Sequence, residues 1–431
     1  MRGAAHTKGE LPRRQVSARF IFLWRGCLAT NSHIGALSAP QQVSISTPTA
    51  LTVERLAGPS EIDRIAGEWC RLEASLTPRL PFATPLWNKL WWRHLRARSW
   101  LVRDEFLVHA VRDASGRLIA VAPLMMTHRP AGGLLRVREL RFFGADPNIT
   151  EIRGLICRAE HQPFVARALA ELGGAFGYDW FHWDGLSSAA LDELRGATRM
   201  VDEGQGSAFV LDLPSSWAAF RETLPRNIKE ALRKGHNSLQ RSGHRYRLRV
   251  IDGSGGLDDA LTRFFAMHAA RANAAVAVRH RDVFADPAAR RFITEYARHM
   301  AALNQLRLFE LEIDGVSRAA RLGFLFDDEL YLYYSGYEPE WGRFSVMTTA
   351  LAEIIKWAID RNLRLVNLST GSDVSKTRWR PREVVYRDAI QLASTWRGRA
   401  AFHGFDAMRH AVRQTDLIGQ VRRLARARAP G

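Results

Sequence analysis

Apolar residues at Ile62, Ile65, Ala66, Trp69, Leu72 and Leu76 recur at helical spacing, which predicts a helix with one buried stripe. Ser60 followed by Asp63 makes a capping-box-like start to it. A second helix is expected after Pro85, carrying Trp87, Trp91, Trp92 and Leu95. The pattern then shortens. Runs at Phe106 to Arg112 and Arg117 to Leu124 flank Asp113-Ala-Ser-Gly116 and predict a β-hairpin with glycine in its turn. Strands are expected at Leu140 to Phe143 and Trp180 to Trp183, with a helix between them at Gln162 to Leu172. Helices and strands alternate, so the fold class is α/β or α+β.

The same order returns about 200 residues later, an offset suited to a duplicated domain rather than a solenoid. Leu306 to Ile313, Asp314-Gly315 and Arg318 to Phe326 again read as strand, tight turn and strand. A strand dense in tyrosine follows, Leu330 to Tyr337, and then a helix opened by Ser345 with Met347, Leu351, Ile354, Ile355 and Ala358 on one face. A last strand is expected at Leu363 to Ser369. The halves are divided at Glu203-Gly-Gln-Gly206, where small and polar residues precede a strand at Phe209 to Leu213. This gives an N-terminal domain at 51–205 and a C-terminal domain at 206–393.

At 431 residues, with 46% hydrophobic and 25% charged positions, the chain is neither disordered throughout nor collagen-like, and two cores are expected. Its net charge of +18, from 62 Lys+Arg and 44 Asp+Glu, is uneven. Residues 1–50 carry Arg2, Lys8, Arg13, Arg14, Arg19 and Arg25 against Glu10, and residues 394–431 carry eight arginines against Asp406 and Asp416. The first segment reads as a disordered basic leader and the second as a basic tail. The sign favours anionic partners: phosphate-rich cofactors, nucleic acid or anionic lipid. A solvated arginine surface explains the charge equally well. The three cysteines, Cys27, Cys70 and Cys157, have no paired spacing, which argues against a disulfide framework or a zinc site. No apolar run approaches the roughly 20 residues needed to cross a bilayer, leaving peripheral membrane contact open. Without export or membrane signals the expected location is the cytoplasm.

Candidate chemistry concentrates in the second half. Free N–H groups at Phe344 to Thr348, around Ser345, would favour a pyrophosphate, as any helix start does. Lys376, Arg378 and Arg380 beside Trp379 could neutralise a phosphate or stack an adenine, or form an exposed basic loop. Arg226 to Arg241 reads as a basic amphipathic helix, suited to RNA, lipid or a phosphorylated substrate, or to solvent. The tryptophans between Trp87 and Trp100 suit core packing better than an acceptor groove.

Together these segments resemble the acetyltransferase-like domain of the Fem and cellulose-biosynthesis-associated branch of the GNAT superfamily. The resemblance is carried by Arg226-Asn227, Phe265-Ala-Met-His268-Ala-Ala-Arg271, Leu306 to Ala320, Tyr333-Tyr-Ser335-Gly336-Tyr337-Glu-Pro339-Glu-Trp341, and Gly371 through Lys376 to Trp379. Glu68-Trp69, Pro85-Leu-Trp87 and Val121-Ala-Pro123-Leu124 resemble the companion domain. The resemblance covers about residues 52 to 392. It implies two tandem GNAT-like domains, each a mixed sheet flanked by helices, and transfer of an acyl group from acyl-CoA to an amine. The acceptor expected is a small molecule, an amino sugar or an envelope or polysaccharide precursor. An aminoacyl-tRNA donor and a non-catalytic module binding nucleic acid or an anionic polymer are the alternatives. Nucleic acid enters the enzymatic readings only as that tRNA, and no metal is expected. By position Lys376 falls at the donor or transition-state side. Tyr334, Ser335 and Gly336 fall on the strand that splays to admit the donor, with Ser345, Trp379 and Arg226 as further donor contacts. Glu338 is the expected base and Tyr334 the expected acid.

Overall fold

The computed structural model describes residues 42–45, 51–130, 136–146, 148–274 and 280–407. The first-half strands are β1 (Gln42–Ile45), β2 (Leu51–Arg55), β3 (Arg103–Arg112), β4 (Leu118–Pro130), β5 (Arg136–Phe142), β6 (Ile156–Cys157), β7 (Trp180–Leu186) and β8 (Met200–Asp212). The second half adds β9 (Tyr246–Ile251), β10 (Leu306–Ile313), β11 (Val316–Phe326), β12 (Glu329–Tyr337), β13 (Leu365–Thr370) and β14 (Arg382–Leu392). All join one mixed sheet in the order β1-β2-β3-β4-β5-β7-β14-β8-β13-β12-β11-β10-β9, with β6 paired to β4.

That order is a near-palindrome about its centre. In the first half β1 to β5 run antiparallel before the parallel pair β5 with β7, and in the second β9 to β12 do so before β12 with β13. The closing strand of each half then crosses over. β8 pairs with β13 of the second half, while β14 pairs with β7 of the first, and the two pair with each other. The ladders thereby bind the halves as firmly as neighbouring strands within one domain. The dividing position near residue 205 lies inside β8 rather than in a linker.

Helices cover the two faces, among them α1 (Glu61–Ala74), α2 (Pro85–His94), α3 (Gln162–Phe176), α4 (Ser188–Ala197), α5 (Trp217–Thr223), α6 (Arg226–Arg241), α7 (Leu257–Asn273), α8 (Pro287–Ala302), α9 (Val346–Ile359) and the single turn α10 (Val374–Thr377). Alternation along the strands sorts the core. Val108, Ala110 and Val121 join Trp69, Trp87, Phe264, Phe292 and Phe324 under α1, α2, α7 and α8. Leu107, Val111 and Ala120 face the other way, onto α3 and α4. The first of these cores spans both halves, with the Trp87 ring edge-on to Phe292 and Tyr296 at 4.7 and 4.8 Å. Arg79 ties the halves again: its backbone N–H donates to Glu329 at 2.6 Å and its Nε to Glu73 at 3.0 Å.

Both expected hairpins are present, and α6 spans the expected residues. The capping box is not formed: Ser60 is already in helical conformation and makes no side-chain cap bond. Trp87, Trp91 and Trp92 are buried and Trp100 is exposed, which settles that cluster as core packing. Most of the basic leader lies outside the described residues, but residues 42–45 belong to the sheet as β1. Of the tail, residues 396–407 are helical and Phe402 packs edge-on against Trp180, while 408–431 lie outside the described residues.

Candidate active site

Pairing between β12 and β13 runs only through Glu329–Leu365, Leu330–Val366 and Tyr331–Asn367. Beyond Tyr331 and Asn367 the strands part, and the wedge between them opens into a cavity of about 880 Å³. Its wall is built from α7, the end of β12, the start of α9, the end of β13 and α10, together with residues 148–153 of the first half. Two features hold the wedge open. β11 carries an irregularity beside Arg321, which lies opposite Ser335. Ser369 turns out of β13 with a φ of 68°, its amide donating to the Asn367 side chain at 2.8 Å. Asn148 and Ser345, also at the cavity, have φ values of 78° and 57°. Left-handed backbone at non-glycine residues is strained, and such residues gather at functional sites.

Lys376 reaches into the cavity from α10. Its Nζ donates to the Ser369 hydroxyl at 3.1 Å and to the Thr370 carbonyl. Burial lowers its pKa to about 8, opposed by the charge of Glu151 and assisted by that of Arg321. Glu151 comes from the first half. It accepts a 2.6 Å hydrogen bond from the Tyr331 hydroxyl, and burial raises its pKa against the pull of Lys376, Tyr331 and Ser369. A carboxylate pushed up facing an ammonium pushed down is an arrangement suited to proton transfer near neutral pH.

The cationic side extends further. Arg271 donates to the Ser335 hydroxyl at 2.7 Å and contacts His280 Nε2 at 2.9 Å. Arg321 is 8% exposed, and burial, reinforced by Arg271, lowers its pKa to about 10. His268 is buried beside them, its Nδ1 at 3.1 Å from the Ser335 carbonyl; burial lowers its pKa and favours the neutral ring. Near the start of α9, Arg378 donates to the Thr348 hydroxyl.

Of the residues singled out from sequence, Lys376, Tyr334, Ser335, Ser345 and Trp379 line this cavity. Three others fall outside its lining. Glu338 is held in a 2.5 Å ion pair with Arg318. Arg226 is exposed on α6 and pairs with Glu230 at 2.8 Å. Gly336 acts through packing: a Cβ there would sit 2.3 Å from the His268 backbone nitrogen, so the glycine lets α7 lie directly on β12. Two residues within the lining take different parts from those expected. The Tyr334 hydroxyl donates to the Asn148 carbonyl at 2.5 Å, and burial raises its pKa, so it fastens the first-half loop to β12. Trp379 is 1% exposed and packs in the core, which leaves no free face for an adenine.

Glu151, Arg271, Arg321 and His268 were not expected as site residues. Arg271 and His268 sit three apart on α7, a spacing visible in sequence, and Arg321 interrupts an apolar strand. Glu151 has no local signal, because it is brought in by a loop that Asp146 organises through bonds from the Trp91 indole (2.6 Å) and the Ile149 amide (2.5 Å). Cys157 is buried, and burial pushes its thiol up to about 12, which makes it a poor nucleophile.

Residues 226–379 match the family model described as an acetyltransferase (GNAT) domain. Among solved structures, FemX superposes with a TM-score of 0.50 at 9% identity, covering 78% of this chain and 96% of that one. The C-terminal domain (DUF2156) of a putative lysylphosphatidylglycerol synthetase from Agrobacterium fabrum gives 0.45 at 12% identity, over 81% and 96%. A tandem GNAT protein from the clavulanic acid biosynthesis pathway gives 0.38 at 12% identity, over 80% and 98%. No curated protein matches the sequence. The fold is GNAT-like and shared with a Fem protein, and the matched domain supports a transferase of the acyltransferase kind.

Proposed function

We propose that the protein is an N-acyltransferase that moves an acyl group from acyl-CoA to the amine of a small molecule, amino sugar or envelope precursor. The observation that carries this reading is the parting of β12 from β13 after Tyr331 and Asn367, directly above Lys376 and Glu151. A thioester entering the wedge would meet unpaired strand backbone on both sides. The first turn of α9, with Thr348 and Arg378, suits the donor's phosphates through free N–H groups and one guanidinium.

In the reaction the amine nitrogen forms a bond to the acyl carbon, and the carbon–sulfur bond breaks. Glu151 takes the proton that the amine loses. The Lys376 ammonium faces the carbonyl oxygen as negative charge grows there, in a setting of low dielectric where one such donor contributes about 3 kcal/mol. The departing thiolate acquires its proton from Lys376 or from water. Two groups with displaced pKa values thus divide the base and electrostatic roles between them.

The test is a melting-temperature series with CoA, acetyl-CoA, longer acyl-CoAs and charged tRNA. A ligand at about 100 times its Kd stabilises by about 2.7 kcal/mol, which is readily seen. A rise with at least one acyl-CoA is expected. If charged tRNA raises the melting temperature and no CoA species does, the aminoacyl-tRNA-dependent reading replaces this one.

A further inference from the structure

At the α7 end of the cavity two guanidinium groups lie together, and among the described residues no carboxylate is hydrogen-bonded to either. Arg321 stands opposite Ser335 on the neighbouring strand, and Arg271 donates to that serine's hydroxyl from α7, so both arginines adjoin Ser335. Arg321 is more than nine-tenths buried. Among the described residues nothing accepts a hydrogen bond from its side chain, and its Nε is enclosed and unpaired. His268, also at the cavity, has its Nε2 enclosed without a hydrogen-bond partner, 3.8 Å from Asp282. Around the cavity Arg153, Arg271, Arg281, Arg321, Lys376 and Arg378 outnumber Glu151 and Asp373.

Such an arrangement is expensive in the free protein. A buried guanidinium loses its hydration, which lowers the pKa of both arginines, and the charge of Arg271 lowers that of Arg321 further. The other two buried arginines have acceptors: Arg79 has the Glu73 carboxylate, and Arg307 donates to the carbonyls of Asn304 and Leu306. Among the described residues Arg321 has no bonded acceptor; Glu151 and Asp373 act on it only through space, and it lines the cavity. A planar fork of N–H donors without an acceptor is complementary to an oxyanion. On the proposed reading the donor's phosphates have a separate cation and helix start, Arg378 and the first turn of α9.

We infer that Arg321 and Arg271 form a binding site for an oxyanion, a carboxylate or phosphate, carried by the acceptor amine. This rests on the transferase reading and narrows its acceptor to an anionic one. The anion would anchor the acceptor within the field of Glu151, the group assigned to take its proton.

The experiment is a melting-temperature titration of the full chain with inorganic phosphate and, separately, with acetate, at constant ionic strength held with chloride. Wild type is expected to show a saturable rise with one or both; a response to acetate marks a carboxylate acceptor, and one to phosphate a phosphorylated acceptor. Arg321→Met is expected to melt no lower than wild type without anion, because an unpaired buried charge is removed, and to need at least tenfold more anion for half the rise. Its response to CoA should stay within twofold of wild type. Arg271→Met, at a less enclosed position, should weaken the anion response in the same direction and serves if Arg321→Met does not fold. Three results overturn the inference: no anion response in wild type, a wild-type anion response in Arg321→Met or in Arg271→Met where that variant serves, or a loss of CoA binding in proportion to the loss of anion binding. An arginine-dependent anion response with no CoA response in wild type would instead sink the acyl-CoA reading and leave the anion site standing.

Discussion

Lys376 was legible in the sequence, and its displaced pKa was not. A lysine in Asp373-Val-Ser-Lys376 reads as a surface residue; the wedge between β12 and β13 makes it a half-buried one. Lys376→Met is expected to lower turnover at least about tenfold, some 1.4 kcal/mol of transition-state stabilisation, measured as kcat/KM with the best acyl donor. Stability should change with pH in a matching way. The ordinary pKa of 10.5 applies to the unfolded chain and about 8 to the folded one, so between those values the unfolded chain holds more protons. Wild-type stability therefore gains as pH rises through that window. Lys376→Met lacks this gain, and denaturant midpoints taken across the window compare the two; parallel curves would show that Lys376 is not desolvated. Tyr334 and Glu338 show the opposite limit of reading single residues. Their types suit acid and base roles, but Asn148 and Arg318 occupy their polar atoms.

Strands and helices were read more securely than their uses, because the period of apolar positions is a local property. The α9 stripe, the two hairpins and α6 follow from spacing alone. What α7 does follows from contact. It lies on β12 so closely that only Gly336 fits beneath His268, and this places His268 and Arg271 over Ser335. Gly336→Ala sets a Cβ 2.3 and 2.4 Å from backbone atoms of His268 and Met267, which cannot rotate away. Overpacking of this kind costs about 1–3 kcal/mol, to be read from urea denaturation. The same variant should lose activity beyond its loss of stability, since α7 carries Arg271. An unaltered denaturation midpoint would mean that α7 does not rest on that strand.

Across the two halves, the duplication serves different ends. In the second half the parallel pair parts to form the cavity. In the first half β5 and β7 pair at only two positions, but Phe142, Phe181 and Trp183 pack together there, and Gly154 lies so close to β7 that a Cβ would stand 2.4 Å from the Asp184 carbonyl. These contacts fill the space beside the β5–β7 pair, and the first copy lends the second a loop. That loop delivers Glu151 and is held by Asp146 and by the hydroxyls of Tyr333 and Tyr334. Glu151→Gln is therefore expected to reduce kcat at least about tenfold while acyl-CoA binding, followed by melting temperature, stays within twofold. Its residual activity should also lose the rise with pH that ionisation of Glu151 gives the wild type. A variant with wild-type kcat would remove the first half from the chemistry.

Periodicity, turn residues and the recurrence at about 200 residues were enough to establish the elements, their duplication and a mixed α/β architecture, because each depends on neighbours along the chain. The basic loop around Lys376 could be noticed in the same way. The crossing of β8 and β14 into opposite halves, the enclosure of Arg321 without an acceptor and the arrival of Glu151 from far upstream depend on packing between segments distant in sequence. No local pattern encodes those contacts. They arise where long-range burial sets which charges lose water and which groups share the space that remains.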